Sequence, residues 1–156
     1  MEWDGALQQI KNELTWAILD HQKFGSKNGT LFWLDPAKTY SALELLFNKQ
    51  QFYKIEFEHI LFMQVDQSLV VTYVFKLPEA NQRVYLRGSF LINSKKEFLE
   101  IHTVSHLWKK AEQAEKEASV LYGVLFEPII ESDKKTLRLN ILNRYGNYSP
   151  PLRGTT

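Results

Sequence analysis

The sequence has no cysteine. That absence excludes disulfides, thiolate zinc sites and thiolate-held iron–sulfur clusters, and it is consistent with a reducing compartment. Glycine is sparse, with 7 in 156 residues. None falls in a Gly-x-Gly-x-x-Gly or Gly-Lys-Ser/Thr pattern, so no phosphate-cradling loop is encoded. No apolar run approaches the roughly 20 residues that span a bilayer, and the first residues lack a signal-peptide pattern. An excess of one charge is missing too: the net charge is +1, and the pairs Lys95-Lys96, Lys109-Lys110 and Lys134-Lys135 are scattered. Nucleic acid or an acidic membrane surface calls for a clustered basic face. Any membrane role is therefore expected to pass through another protein of an assembly.

What is present is ordinary for a globular chain. Hydrophobic residues make up 44% and charged residues 24%, at a length that suits one domain with a substantial core. Leu7, Ile10, Leu14, Ala17, Ile18 and His21 recur at helical spacing, so an amphipathic helix is expected over 4–24, capped by Asp4 and stopped by Gly25. "TLFWL" (30–34) reads as a buried strand. Asp35-Pro36 reads as an N-cap and first helical position, opening a helix to about Asn48 that buries Tyr40, Leu43, Leu46 and Phe47.

Residues 53–66 alternate at first and then lose the period, so strand and helical turn both stay open there. "SLVVTYVFKL" (68–77) and "RVYLRGSFLI" (83–92) flank the turn cluster "LPEANQ" and form an antiparallel hairpin. Ser94 and Glu97 suggest a short helix to about Glu100. "LWKKAEQAEKEASVLYG" (107–123) is the clearest helix, with a small-residue stripe of Ala111, Ala114, Ala118 and Leu121 and a left-handed stop at Gly123. The fold class expected is α+β: an antiparallel or mixed sheet of three to five strands packed by two or three helices. One domain is expected over 1–143. Residues 144–156 hold Gly146, Pro150, Pro151 and Gly154 and little to bury, so an extended tail is expected there.

Candidate chemistry is thin. His102 and His106 lie four apart with Glu97 and Glu100 nearby, a zinc-like spacing on a helix. The β-branched Ile101, Thr103 and Val104 argue instead for an extended segment, with surface or partly packed histidines. Ser105 and His106 are adjacent, so on a strand their side chains diverge and no nucleophile–base pair results. Glu115 and Glu117 are about 200° apart around a helix and cannot share a substrate. Glu112 and Lys116 are spaced for an i, i+4 ion pair. Left to itself this region reads as a solvated helix face.

The stretch "VSHLWKKAEQAEKEASVLYGVLFE" (104–127) resembles the signature segment of the NuoC/NdhJ-type subunit of respiratory complex I, in the NADH:quinone oxidoreductase superfamily. That family reads approximately Val-Thr-Asp-Leu-Trp, six residues, then Glu-Arg-Glu-Ala-Tyr-Asp-Leu-Phe-Gly-Ile. Val104, Leu107 and Trp108 match. After 109–114 come Glu115, Lys116, Glu117 and Ala118, and then Leu121, Tyr122, Gly123, Val124 and Phe126. "FEHILFMQVD" (57–66), Val71 with Tyr73, "RVYLRGSF" and Pro151-Leu152-Arg153 are weaker echoes, so the resemblance covers about 57–153. Ahead of it only a helix–strand–helix order fits. The sequence departs from the pattern at Lys116 (arginine in the family), Val120 (aspartate), Gln113 or Ala114 (aromatic) and Gly154-Thr155-Thr156 (Lys-Asp-Tyr).

The resemblance implies a structural subunit with no cofactor, no bound metal and no catalytic residue of its own. It implies a place beside the large, hydrogenase-like subunit next to the quinone site, on the cytoplasmic side of an inner or thylakoid-like membrane. The docking residues it implies are Trp108, Glu115, Lys116, Glu117, Tyr122, Gly123, Pro151, Leu152 and Arg153. An equivalent component of a membrane-bound energy-converting hydrogenase is the sister reading. A stand-alone interaction module, or a small hydrolase or metal enzyme using His102 and His106, are the readings outside the superfamily.

Overall fold

The structure, a computed structural model, describes residues 5–24, 29–78, 81–92 and 98–127. They show an α+β architecture. A five-stranded mixed sheet has the order β1-β2-β5-β4-β3, built from β1 (Ile18–Phe24), β2 (Gly29–Leu34), β3 (Glu56–Val65), β4 (Ser68–Leu77) and β5 (Gln82–Leu91). A separate two-stranded sheet joins β6 (Leu99–His102) to β7 (Val124–Glu127). The helices are α1 (Gly5–Glu13), α2 (Thr39–Asn48), the single turn α3 (Gln50–Tyr53) and α4 (Ala111–Tyr122). The described residues group into two compact units, one drawn from 1–61 and 71–89, the other from 62–70 and from 90 onward.

In the first unit the expected helix over 4–24 is shorter than its periodicity suggested. α1 ends at Glu13, and the amides of Ala17 and Ile18 both bond back to the Leu14 carbonyl, closing a turn. Residues 18–24 then form an edge strand paired antiparallel with β2, where Leu19 is 67% exposed. Leu14, Ala17 and Ile18 satisfy helical spacing whether or not the helix continues. Ladder hydrogen bonds to β2 decide the matter in favour of strand. The order at the start of the chain is thus helix–strand–strand–helix. Asp4 and Gly25 lie outside the described residues.

The Asp35 cap appears where the sequence placed it, but it opens a 3₁₀ turn, and the helix proper starts only at Thr39. Asp35 Oδ1 accepts from the Ala37 amide at 3.0 Å and caps a 3₁₀ turn over Pro36–Lys38. The following helix buries Ala42, Leu43 and Leu46 and leaves Tyr40 and Phe47 half-buried. β3 is one strand through the ambiguous stretch. It is tied off by Asp66, whose φ of 53° is the left-handed value that a two-residue hairpin link requires. β2 runs parallel to β5, with Trp33 opposite Arg87. β4 occupies an inner position in the order and is buried on both faces from Leu69 to Phe75, which explains its nearly unbroken apolar run. Leu7, Ile10, Leu14, Phe32, Leu43, Leu46, Phe75, Val84 and Leu86 are fully buried and form this unit's core. Lys49 Nζ donates to Glu13 Oε1 at 2.8 Å, fastening α3 to α1.

In the second unit the strand β6 replaces the end of the expected short helix, since Leu99 and Glu100 already belong to the ladder. Residues 93–97 lie outside the described residues. β6 and β7 are parallel, with Ile101 opposite Phe126, and α4 is the connection between them. Phe98, Ile101, Val104, Val124, Leu125 and Phe126 are buried, and Phe62 meets Phe126 edge to face at 5.9 Å.

Candidate functional site

The signature segment 104–127 folds as the turn, helix and second strand of this β–α–β unit. After β6 the chain turns through 103–107, where the amides of Leu107 and Trp108 both bond to the Val104 carbonyl at 3.0 and 2.9 Å. Trp108 is thereby packed inward at 9% exposure. α4 starts at Ala111, later than the sequence suggested. Its C-terminus is Gly123, with φ 69° and ψ 39°, whose amide donates to the Ser119 carbonyl at 3.1 Å. This left-handed cap lets the chain leave the helix directly into β7.

The buried stripe of α4 is Ala111, Glu115, Ala118 and Ser119, while Leu121 is 49% exposed and Ala114 half-buried. The expected stripe is thus rotated toward Glu115, a residue that a hydrophobicity pattern counts as outward. Glu115 is only 6% exposed. Its Oε1 accepts from Thr103 Oγ1 at 2.5 Å, and its Oε2 accepts from the Val104 amide at 2.9 Å. Thr103 Oγ1 in turn accepts from the Ser105 amide at 3.1 Å and lies 2.9 Å from Ser105 Oγ. Burial pushes the Glu115 carboxyl above its ordinary range. The two hydrogen bonds work against that rise, and the nearby Glu112 charge adds to it. Sequence reasoning weighed Ser105 only as a nucleophile and Thr103 only as a β-branched residue, and missed both as parts of the network that holds Glu115. The only signal available was a pair of hydroxyl residues beside the turn.

The opposite face of α4 is charged and open. Lys116 Nζ sits 3.0 Å from Glu112 Oε1, as the i, i+4 spacing predicts. Glu117 Oε1 accepts from Gln113 Nε2 at 3.2 Å. Gln113, Lys116, Glu117, Val120 and Leu121 line a shallow, open groove of about 370 Å³. Tyr122 is half-buried at the end of the helix. So of the sequence-derived docking residues Lys116 and Glu117 face outward, whereas Trp108, Glu115 and Gly123 form the internal frame that presents them. Pro151, Leu152 and Arg153, with the tail 144–156, lie outside the described residues.

The other candidates separate. Glu115 points in and Glu117 out, so they share no site. His102 ends β6 as part of an extended segment, its Nδ1 2.8 Å from the Thr103 carbonyl, and its ring is 5.9 Å from that of His106. Among the described residues, no group of three or more His, Cys, Asp or Glu is placed to hold a metal ion. The Ser105 hydroxyl is engaged with Thr103. Among the described residues, no helix is long and apolar enough to cross a membrane.

Comparison with known proteins settles the family. Residues 32–155 match the family described as "Respiratory-chain NADH dehydrogenase, 30 Kd subunit". The chain belongs to that family. The match begins inside β2, well before the stretch in which the sequence resemblance was legible. Among solved structures this family member is similar to a chain of the archaeal membrane-bound sulfane sulfur reductase, described as a respiratory membrane complex. The TM-score is 0.58 at 18% identity, covering 80% of this chain and 69% of that one. At that identity the likeness speaks for the fold. No curated protein is matched.

Proposed function

We propose that this chain is a non-catalytic structural subunit in the peripheral arm of a complex I-like quinone oxidoreductase. It docks beside the large hydrogenase-like subunit near the quinone site, supporting electron transfer to quinone and the coupled ion translocation. The observation that carries the reading is the arrangement of the family's signature segment. Its Glu115, Trp108 and Gly123 are used internally, to hold a β–α–β unit. Its Lys116, Glu117, Val120 and Leu121 are left on an open groove where another protein can bury them. The tail 144–156, with Pro151, Leu152 and Arg153, is assigned to packing on a partner subunit. The chain reaches the cytoplasmic side of the membrane only through the assembled complex.

The equivalent component of a related membrane-bound complex, such as an energy-converting hydrogenase, is the second reading. It is favoured by the likeness to a chain of an archaeal respiratory membrane complex. Affinity purification of the tagged full chain from native membranes tests both. The first reading expects stoichiometric recovery of a hydrogenase-like large subunit in a preparation with quinone reductase activity. The second expects the same partner type with hydrogen- or sulfur-linked activity instead. A chain that stays in the soluble fraction as a free monomer refutes both.

A further inference from the structure

The first unit carries a second feature that points to a partner, independent of α4. β5 alternates: Val84 and Leu86 are sealed, while Arg83, Tyr85 and Arg87 lie on the opposite face. The parallel register sets Arg87 beside Trp33 of β2, and its guanidinium carbon lies 5.2 Å from the centre of the Trp33 ring. That is within cation–π range. Arg87 Nε donates at 2.8 Å to Oγ1 of Thr72 on β4, a residue only 3% exposed. The guanidinium is thus held at two points, by a ring and by a hydroxyl, and both contacts are neutral. Among the described residues no carboxylate forms an ion pair with it. Arg83, on the same strand face four residues earlier, contrasts with this: Glu58 takes its Nε and Nη2 at 2.8 and 3.2 Å.

We propose that Arg87 is the anchor of a second docking surface, and that its occupant is a neighbouring protein subunit presenting an aspartate or glutamate to the Trp33–Arg87 stack. A guanidinium fixed through Nε keeps its two terminal amino groups in the planar fork that carboxylates bind side by side. Stacking and the Thr72 bond remove the rotamer freedom that such a contact otherwise loses on binding. Arginine, tryptophan and tyrosine are the residues that dominate interface hot spots. With Arg83 paired to Glu58, the patch offers a single cation that has no carboxylate partner among the described residues. It is therefore a local complement to one acidic group rather than the broad basic face that nucleic acid needs.

The inference rests on the reading of the chain as a component of a larger complex and is tested in the purified complex. Arg87→Lys places a primary amine at the anchor. Treatment with a zero-length carbodiimide, followed by peptide mass spectrometry, is expected to join that amine to an Asp or Glu of a different subunit. A crosslink only to another copy of this chain, or none while other lysines react, overturns the proposal. Arg87→Glu supplies a second readout: occupancy in the complex falls about tenfold or more while the isolated variant, though less stable for the lost Thr72 and Trp33 contacts, keeps the native circular dichroism spectrum. Unchanged occupancy overturns it, and if Arg87→Glu does not fold, the crosslink decides. If the native chain itself co-purifies with nothing, the proposed function fails. If only the Arg87 variants behave as native, this inference alone fails.

Discussion

Removing the Glu115 carboxylate should loosen the turn that leads into α4. In Glu115→Ala the Val104 amide loses its acceptor, and being backbone it cannot turn to another; a buried donor left unpaired costs about 1–3 kcal/mol. The Thr103 hydroxyl is better placed, because it can rotate toward Ser105 Oγ 2.9 Å away. Loss of the buried methylene contacts adds about 1 kcal/mol. Relief from burying a carboxylate, whose pKa is raised chiefly by that burial, offsets about 1 kcal/mol. The net is about 1–3 kcal/mol. At about 2–4 °C per kcal/mol for a chain of this size, the melting temperature should fall by about 2–12 °C. Differential scanning calorimetry at neutral pH measures the shift, and amide exchange at Val104 should accelerate alongside it. Glu115→Gln, which keeps the shape and one acceptor, should lose less. Glu115→Ala melting like the native chain with Val104 still protected would show that the carboxylate does not hold the turn. Glu115→Gln falling as far as Glu115→Ala would show that charge, not the bond to Val104, matters.

Gly123→Ala forces a side chain into left-handed backbone and should cost about 1–2 kcal/mol, read as a lower urea midpoint with unchanged slope. Lys49 and Arg83 hold the carboxyls of Glu13 and Glu58 below their ordinary value of 4.5. Their contribution to stability is present above that value and lost as pH falls through the lowered ones. Glu115 acts oppositely: its raised pKa contributes stability below 4.5 that is lost as pH rises through the raised value. Thermal melts from acid to neutral pH should therefore gain stability less steeply above 4.5 in the native chain than in Glu115→Gln, while Glu13→Gln flattens the rise at the acid end. Lys116→Ala with Leu121→Ala, both outward on α4, should melt within about 2–4 °C of native yet lower occupancy in the complex; full occupancy argues against the α4 groove as a docking face. Truncation after Ser149 should weaken assembly and leave the circular dichroism spectrum intact; assembly at full occupancy removes the tail from the interface.

The parts of the site that were legible in sequence are those whose cause is local. Gly123 announces a left-handed cap, and Glu112 with Lys116 announces a helical ion pair, because both depend on residues within one or two turns. The resemblance to the family pattern, carried by matched residues such as Trp108, Glu115, Ala118 and Gly123, located the α4 segment. Glu115 was misleading for a physical reason: a carboxylate is outward unless donors meet it, and its donors, Val104 and Thr103, stand eleven and twelve residues earlier. Arg87 is a similar case. On its own it is one more surface cation, and only the strand order brings Trp33 and Thr72 to it.

Composition alone excluded cysteine-borne redox groups, since no fold can supply a ligand the chain does not contain. Local pattern likewise decided the β4–β5 hairpin, the Asp35 cap and the main helix, whose determinants are neighbours along the chain. Tertiary structure decided that residues 18–24 are a strand, that β2 lies parallel to β5, and which way Glu115 and Arg87 point. Each of those outcomes depends on hydrogen bonds or burial between segments distant in sequence, whose energies exceed the few tenths of a kcal/mol per residue that propensity supplies.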